Sequence, residues 1–476
     1  MLRNLISGLN RVVITTVGIG VVGSMPVTSA ATLYWSGNGS NQGGAGIWDT
    51  TLPRFGSSGG GPFSTVWNNT TNAGDTVTFG SSAGTVTLGA DITVATLALN
   101  TNSTIAPGAG PYTLTSGGST LTANIGGSST SNRVITAAIT GAIGLTVGGG
   151  FDGTLQLRGA NTYTGVTTVG NGKTLMMGFG STEGSIGSSS GVTINGNFAI
   201  NRSDNVTQTN DFPVMSGAGN FVKQSAGTVT LLSQNTFTGS TEVRAGTLQI
   251  GNGGTAGGLP NSSSIDLTTN NTGVFAVNRS NNAFQGTNFP VSTGIGGFSQ
   301  LGTGTTQLEL TNTYTGPTRV AAGSLIVAAA GAIGASDVTV ESLAALGGTG
   351  TIGGDVSFAS GSKFIFNAAG PLAVAGTVSF VDPAAFGVDD IIGLSNLTAP
   401  GTYSLISGNV LTAGLANLGV ANSYDLGSGV SAYFEQGSLN VVVVPEPAAA
   451  SSALVVMLLG SLAMHARQRR RKHQGA

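Results

Sequence analysis

The sequence predicts an all-β fold, a right-handed parallel β-helix (solenoid) in which short strands stack coil upon coil. Three observations support this prediction. Apolar and polar residues alternate with a period of two, glycine and asparagine interrupt each short run, and related segments recur along the chain. Between residues 32 and 444 no sustained apolar stripe with helical spacing is present.

The clearest internal repeat consists of three segments that share Asn-Thr, an aromatic residue and Thr-Gly, with a valine four residues further on. They lie at residues 153–178, 227–251 and 304–328. The second and third copies are 77 residues apart, as are two Asn-Arg-Ser triplets at 201–203 and 278–280. At roughly 20–25 residues per coil, the 77-residue unit should form about three coils and the whole body on the order of 15.

The alternation within each segment predicts which side chains face the core. In Thr247-Leu248-Gln249-Ile250 the apolar residues are separated by a polar one. Successive side chains of a strand point to opposite faces. We therefore expect Val243 and Leu248 to point inward and Gln249 to point outward.

The composition excludes several classes of function. Charged residues make up only 8% of the 476 residues, glycine supplies 79, and cysteine is absent, so disulfides and thiolate metal sites are excluded. The two histidines, His465 and His473, lie at the C-terminus, so the body cannot build a histidine-based triad or metal cage. Residues 32–444 contain 10 basic and 18 acidic residues, a balance that does not favour nucleic acid as a partner.

Residues 1–31 show the order of parts that is typical of a secretory signal peptide. Basic residues precede an apolar run over 12–25, a proline ends the run, and small residues follow. We therefore expect passage through the export machinery and cleavage after Ala30 or Ala31. An uncleaved N-terminal anchor is the alternative, although the apolar run is short for a membrane span.

Residues 444–476 contain three parts in a fixed order. Pro445, Glu446 and Pro447 come first, followed by an apolar stretch over 448–464, which is at the short limit for a transmembrane helix. The chain ends in a basic tail whose charged residues are Arg467, Arg469, Arg470, Arg471 and Lys472. Because basic residues beside a span stay in the cytoplasm, this tail should determine the topology, with the body on the outside.

This arrangement resembles the PEP-CTERM sorting signal of Gram-negative bacteria. The resemblance implies cleavage near Pro445-Glu446-Pro447 by an exosortase, a protease embedded in the membrane. It also implies a host that produces exopolysaccharide and forms biofilms. The protein would be anchored transiently in the inner membrane before it reaches the cell surface or the extracellular space. An ordinary C-terminal anchor is the alternative.

The internal repeat resembles the autotransporter-associated β-strand repeat. The shared core is Gly-Thr-Leu-Gln-Leu, then Asn-Thr-Tyr-Thr-Gly, then Gly-Thr-Leu, and the opening segment with Trp35, Trp48 and Trp67 also looks like such proteins. Autotransporters end in a membrane β-barrel built from alternating strands of about 10 residues. This chain is expected to end in an apolar span instead, so export through a barrel of its own is not expected.

The organisation that follows has four parts. Residues 1–31 form the signal peptide, 32–370 the β-helix body, 371–443 a C-terminal β region that could cap the solenoid, and 444–476 the sorting signal. Within the C-terminal region, residues 401–406 and 439–444 read as strands. Residues 411–418 form a weak helical candidate that a glycine interrupts.

Short matches to catalytic motifs do not form a site in the sequence. Residues 360–363 fit S-x-x-K and 203–205 fit S-D-N, but the order found in class A β-lactamases is reversed and K-T-G is missing. Asp389-Asp390 is the only adjacent acidic pair of the body, and we expect it to form a solvated turn. No catalytic, cofactor-binding or metal-binding residue is predicted.

The sequence therefore favours a non-enzymatic, exported surface or matrix protein, adhesin-like or structural, whose outward hydroxyl and amide groups could meet exopolysaccharide. A carbohydrate-active β-helix enzyme, either a polysaccharide lyase or a glycosidase, is the alternative. Two or more carboxylates or arginines that converge in one groove would favour the enzyme.

Overall fold

The computed structural model describes residues 30–80, 84–128, 130–267, 272–397, 399–427, 429–437 and 439–446. It is a parallel β-solenoid of about 13 turns, close to the number expected from the sequence. The predicted parallel solenoid is confirmed, whereas the handedness of the coil stays a prediction. The apolar stretch 448–464 and residues 1–29 of the predicted signal peptide lie outside the described residues. No helix within the described residues is long and apolar enough to cross a bilayer.

The strands are short because glycine, asparagine and serine end each run after a few alternating residues. The strands of the N-terminal coils are β1 Thr32–Trp35, β2 Gly46–Trp48, β3 Pro53–Gly56, β4 Thr65–Val66, β5 Thr76–Phe79, β6 Gly84–Leu88, β7 Ile92–Thr93, β8 Thr96–Leu99, β9 Ser103–Pro107, β10 Thr113–Thr115, β11 Thr120–Ile125, β12 Arg133–Ile135, β13 Ala138–Ile139, β14 Gly144–Gly148 and β15 Gly153–Leu157.

The strands of the central coils are β16 Thr167–Val169, β17 Lys173–Ser181, β18 Val192–Ile194, β19 Asn197–Arg202, β20 Val206–Thr207, β21 Met215–Ser216, β22 Asn220–Lys223, β23 Thr228–Leu231, β24 Thr241–Val243, β25 Ala245–Ile250, β26 Ile265–Leu267, β27 Thr272–Val277, β28 Ala283–Phe284, β29 Ser292–Gly294, β30 Gly297–Gln300 and β31 Thr305–Leu308.

The strands of the C-terminal part are β32 Thr318–Val320, β33 Ser324–Val327, β34 Ala332–Ile333, β35 Val338–Val340, β36 Ala345–Gly348, β37 Thr351–Ile352, β38 Val356–Phe358, β39 Lys363–Ile365, β40 Leu372–Phe380, β41 Ile391–Ile392, β42 Gly401–Val410, β43 Tyr424–Gly427, β44 Val430–Phe434 and β45 Leu439–Pro445. Short 3-10 helices occur at Pro383–Ala385, Val388–Asp390, Leu394–Asn396 and Val420–Asn422.

Each N-terminal coil contributes one strand to each of three sheets, which form the three sides of the solenoid. Side 1 contains β5, β8, β11 and β14, side 2 contains β6, β9, β12 and β15, and side 3 contains β7, β10 and β13. Thr76 pairs with Thr96 and Thr247 pairs with Val274, so a coil uses between 20 and 27 residues at these places. This length agrees with the sequence estimate.

Inward side chains of neighbouring coils stack into one continuous core. Val229, Leu248 and Phe275 are paired in three successive strands and are all buried, as is Val243. Gln249 lies on the outer face, where its Nε2 donates a hydrogen bond to Gly251 O at 2.6 Å. The predicted inward and outward assignments are confirmed.

Aromatic residues fill the first coil. The three tryptophans are fully buried and pack with two phenylalanines, with ring centroids 5.2 to 6.3 Å apart; the cluster comprises Trp35, Trp48, Phe55, Trp67 and Phe79. Strands β3 and β4 join this end in antiparallel pairing. The tryptophans singled out in the sequence therefore belong to the core.

The asparagine that the three repeat copies share forms hydrogen bonds that connect three coils. Asn235 is fully buried, and its Oδ1 accepts hydrogen bonds from Met215 N–H of the preceding coil and from Gln208 Nε2, at 3.0 and 2.7 Å. Its Nδ2 donates to Ser233 O and to Gly258 O of the following coil. The side-chain amide of Asn235 thus forms hydrogen bonds with backbone groups at a corner of the solenoid, between two strands.

The same bonding recurs in the other two copies. Asn312 accepts hydrogen bonds from Ser292 N–H and Gln285 Nε2, and donates to Leu310 O and Ala332 O. Asn161 accepts from Ile139 N–H and donates to Gly159 O and Ser185 O, without a glutamine partner. These polar side chains therefore hold the fold together and are not available to a ligand.

The three copies lie on three different sides of the solenoid. Thr162 N–H bonds Ile139 O on side 3, Thr236 N–H bonds Met215 O in β21 on side 1, and Thr313 N–H bonds Ser292 O in β29 on side 2. Each copy therefore advances by one side beyond three full coils. The 77-residue unit spans about three and a third coils, and not the three expected from its length.

Lys223 is a buried cation whose counterpart in the next copy is neutral. Its Nζ donates to Ser225 O and to Ala245 O, and desolvation lowers the pKa of Lys223 to about 8. Gln300, 77 residues later, is also buried and donates to Gly302 O and Gly304 O.

The depressed pKa of Lys223 gives a testable pH dependence. Between pH 8 and the ordinary lysine pKa of about 10.4, the unfolded chain binds a proton that the folded chain has released, so stability should rise with pH. We expect Lys223→Gln to remove this rise. Chemical denaturation of both forms at several pH values between about 7.5 and 9.5 measures it; equal slopes would contradict the assignment to Lys223.

The C-terminal region ends the parallel stacking. β40 pairs in parallel with β42, but β45 then lies antiparallel between β42 and β44, and β43 follows at the edge. Residues 411–418 form turns and no helix, so this weak helical prediction is wrong. An antiparallel sheet with short loops closes this end of the core.

Candidate functional site

A groove of about 450 Å³ opens on the outer surface of the first repeat copy. The residues that line it come from five successive coils and include Arg158, Ala160, Glu183, Ser185 and Arg202. The backbone that forms its walls is already paired between coils: Arg158 N–H donates to Ile135 O, and Ser185 N–H donates to Gly159 O. Side chains are therefore the groups that can meet a ligand here.

Arg158 is a cation without an anionic partner among the described residues. Its Nε and Nη2 both donate to Gln156 Oε1, at 3.2 and 2.5 Å. Its guanidinium carbon lies 4.4 Å from the centre of the Phe179 ring, and the Phe179 side chain is 52% exposed. Phe179 does not line the groove itself, but the pair places its exposed ring against Arg158, which does.

Arg202, in contrast, is fully engaged by two aspartates of its own coil and by the carbonyl group of Gly184 in the preceding coil. It forms ion pairs with Asp204 and Asp211, at 2.6 and 2.9 Å, and its Nη1 also donates to Gly184 O at 2.9 Å. The hydrogen bond from Arg202 holds the pKa of Asp204 below its usual range. Arg202 thus shapes the groove as a structural element.

Glu183 lines the groove and directly precedes Gly184, whose carbonyl oxygen bonds Arg202. Its backbone N–H bonds Ser181 Oγ at 3.4 Å, and within the described residues its carboxylate forms no ion pair. The groove therefore presents one unpaired cation, Arg158, and one unpaired anion, Glu183, in addition to the exposed Phe179 ring.

The loop that contains Phe179 and Glu183 has a counterpart in the next copy. Gly178, Gly180 and Gly184 have φ values of 79°, 72° and 91°, and their counterparts Gly251, Gly253 and Gly257 have φ values of 78°, 90° and 96°. Arg279 Nη1 bonds Gly257 O just as Arg202 Nη1 bonds Gly184 O. The two loops differ at four positions: two serines of the first loop are glycines in the second, and Phe179 and Glu183 are replaced by Asn252 and Ala256.

Sequence reasoning missed Arg158, Phe179 and Glu183. The signal was the difference between copies, since 178–185 reads GFGSTEGS and 251–258 reads GNGGTAGG. An alignment of the copies that looked only for shared residues could not identify them.

The structure describes two residues of the predicted sorting motif. Pro445 is the last residue of β45 and pairs with Val430, and Glu446 N–H donates to Gly429 O at 2.9 Å. The side-chain carboxyl groups of Glu446 and Asp425 share a hydrogen bond, which raises the pKa of Glu446. The strand that the sequence predicts at 439–444 therefore continues to Pro445, and Glu446 is also paired within the C-terminal sheet. Pro447 and the basic tail, comprising Arg467, Arg469, Arg470, Arg471 and Lys472, lie outside the described residues.

The two alanines of the predicted cleavage site are the first described residues. Ala31 N–H donates to the carboxylate of Asp75 at 2.8 Å, and Ala31 O accepts from Thr76 N–H. Asp75 is 7% exposed and also accepts from Asn72 Nδ2. The first coil therefore begins immediately at the predicted processing site.

The short catalytic matches are structural. Ser362 Oγ donates to Ala359 O, and Lys363 Nζ lies 3.1 Å from Asp390 Oδ1. Asp204 of the S-D-N match bonds Arg202. The Asp389-Asp390 pair sits on a 3-10 helix, where Asp390 is held by Lys363, and this fits a structural turn. No group of three or more potential ligands among the described residues could hold a metal ion.

Comparison with known proteins identifies the repeat. Residues 152–175, 221–250 and 298–327 match the family model described as the passenger-associated-transport-repeat. The chain is also 36% identical over 201 residues to the adhesin BmaC autotransporter of Brucella suis biovar 1 (strain 1330). That match covers 40% of this chain and 6% of the relative's length. No solved structure matches the chain. The matched segments overlap the three copies found in the sequence, so the prediction of autotransporter-associated repeats is confirmed.

Proposed function

We propose that this chain is an exported, non-enzymatic surface or matrix protein that acts as an adhesin-like or structural rod. The main support is the parallel solenoid with transport-associated repeats, together with the similarity to a protein described as an autotransporter adhesin. In the repeats, the shared asparagines form hydrogen bonds between coils and are therefore not free to bind a ligand. The outer surface that remains is polar and weakly charged.

The proposal includes sorting through the C-terminus in a biofilm-forming host. The order of Pro445-Glu446-Pro447, the apolar stretch and the basic tail supports recognition by an exosortase-type protease and transient anchoring in the inner membrane. Pro445 and Glu446 are still paired with Val430 and Gly429, and Pro447, the next residue, lacks a backbone donor. A cut after Glu446 would therefore fall next to the folded body.

Intact mass measurement in a host with the sorting protease tests this proposal. The wild-type protein should lose its C-terminal segment and appear at the cell surface or in the medium. Alanine replacement of Pro445, Glu446 and Pro447 should leave an exported but full-length chain in the inner membrane. Deletion of residues 467–472 should impair both retention and processing. Full-length tails in wild type and variant alike would reject processing, and absence of the protein from the surface would reject the function.

A carbohydrate-active enzyme is the second candidate, because the groove contains Arg158, Arg202 and Glu183. Glycoside hydrolysis generally uses two carboxyl groups on either side of the scissile bond. Only Glu183 is unpaired here, since Asp204 and Asp211 are held by Arg202. Assays for hydrolase and lyase activity on purified protein decide between the two functions; turnover that is lost in Glu183→Gln would favour the enzyme.

The position of Ala31 predicts the N-terminus of the mature protein. Cleavage after Ala30 would place the new α-amino group against the buried carboxylate of Asp75, where it gains an ion pair. We therefore expect peptide sequencing of the secreted protein to begin at Ala31. Asp75→Asn should destabilise the mature chain by about 1.5–3 kcal/mol, as expected for a hydrogen bond to a charged group. A mature chain that begins at Thr32 would contradict this prediction.

A further inference from the structure

We propose that the groove around Arg158, Phe179 and Glu183 is a binding site for a neutral, hydroxyl-rich glycan chain. This inference rests on the proposed surface function and names the ligand class and the residues that would bind it. The two equivalent loops, 178–185 and 251–258, provide the first observation. The second loop reaches the same backbone conformation with Asn252 and Ala256, so the fold needs neither a phenylalanine nor a glutamate there.

The exposure of Phe179 is therefore unexplained by folding. A phenylalanine that leaves half of its surface in water gains little from burial, whereas an aromatic ring at the rim of a groove offers a flat apolar platform. The guanidinium group of Arg158 lies at 4.4 Å from the ring centre and fixes the platform beside the groove. The apolar face of a sugar ring can pack on such a platform.

The polar groups of the groove fit hydroxyls better than a charged ligand. Arg158 supplies donors and Glu183 supplies acceptors, and a hydroxyl group can act as either. Arg158 and Glu183 cancel, and Arg202 with its partners Asp204 and Asp211 carries a net charge of −1, so the groove has no positive excess to attract a strongly anionic chain. Its volume of about 450 Å³ falls within the range of sites that bind small ligands or a few units of a polymer.

The backbone argues against a peptide as the ligand. Peptides that add a strand need a free sheet edge. Here the groove lies on the flank of interior coils, and its wall residues Arg158 and Ser185 already donate their N–H groups to the preceding coil. An amphipathic helix would need a wide apolar groove, and this one is lined by charged and polar side chains.

The test measures binding of the full-length protein, purified in mild detergent, to immobilised glucan, mannan and galactan oligosaccharides, with polygalacturonate and an unrelated peptide as comparisons. At least one neutral oligosaccharide should bind. The double variant Phe179→Asn/Glu183→Ala, which introduces the residues of the second loop, should weaken binding by about tenfold or more, as expected for loss of an aromatic anchor. Arg158→Gln should also weaken it.

The matched control is Asn252→Ala in the equivalent loop, which should leave binding unchanged. The variants carry residues that the second loop tolerates, so their melting curves should match that of the wild type. Unchanged affinity of the double variant, preferential binding of the peptide or polygalacturonate, or no bound glycan at all would overturn the assignment. Loss of glycan binding with intact surface display would leave the proposed function standing, whereas intact binding without surface display would reject that function alone.

Discussion

Leu248→Asp should be strongly destabilising, while Gln249→Asp, one residue further along the same strand, should change stability little. Leu248 is fully buried between Val229 and Phe275 of the neighbouring coils. A carboxylate at this position would lose its hydration without a partner, or become protonated and still leave a polar group unsatisfied. We expect a loss of about 3–5 kcal/mol, the range found when a buried charge lacks its partner.

Gln249→Asp is the matched control because it adds the same charge on the outer face. The variant loses one hydrogen bond, from Gln249 Nε2 to Gly251 O, worth about 1 kcal/mol. Amide hydrogen exchange of strand β25 measures the local free energy of opening, which suits a solenoid because its coils can unfold separately. Similar losses in the two variants would contradict the inward and outward assignment.

Strand pattern and repeat architecture could be predicted from the sequence because both depend on neighbouring residues. The alternation around Leu248 and the glycines that end each run act within a few residues. The advance of each copy by one side could not be predicted in the same way. It depends on summing the lengths of several unequal coils, and an error of a few residues per coil moves the 77-residue unit by a full side.

The candidate groove was harder to predict because its residues belong to five coils. Arg158 and Phe179 are 21 residues apart and meet only through the stacking of β15 on β17. A search for shared repeat residues favours Asn161 and its equivalents, which are structural. The residues without equivalents in the other copies, Phe179 and Glu183, mark the place where the surface departs from what the fold requires.

Asn235→Leu should also be strongly destabilising, by about 3–5 kcal/mol, although leucine is similar in size. The change leaves Met215 N–H without its partner, and an unsatisfied buried group costs about 1–3 kcal/mol. Gln208 Nε2 also loses its bond to Asn235 Oδ1, worth about 1 kcal/mol, although it still donates to Pro213 O at 3.3 Å. Ser233 O and Gly258 O also lose a donor. The melting temperature and the hydrogen exchange of the adjacent strands should both fall, and Asn252→Leu on the surface should change neither.

The three copies provide a graded test of this argument. Asn312→Leu should match Asn235→Leu, because Gln285 takes the place of Gln208. Asn161→Leu should cost less, since it breaks the bonds to Ile139 N–H, Gly159 O and Ser185 O but no bond to a buried glutamine. Gln208 and Gln285 keep their bonds to Pro213 O and Pro290 O, so the difference should be about 1 kcal/mol, the net worth of one hydrogen bond. If Asn161→Leu were as damaging as the other two variants, the glutamine partners would contribute nothing, and the backbone groups at the corner alone would account for the role of the asparagine.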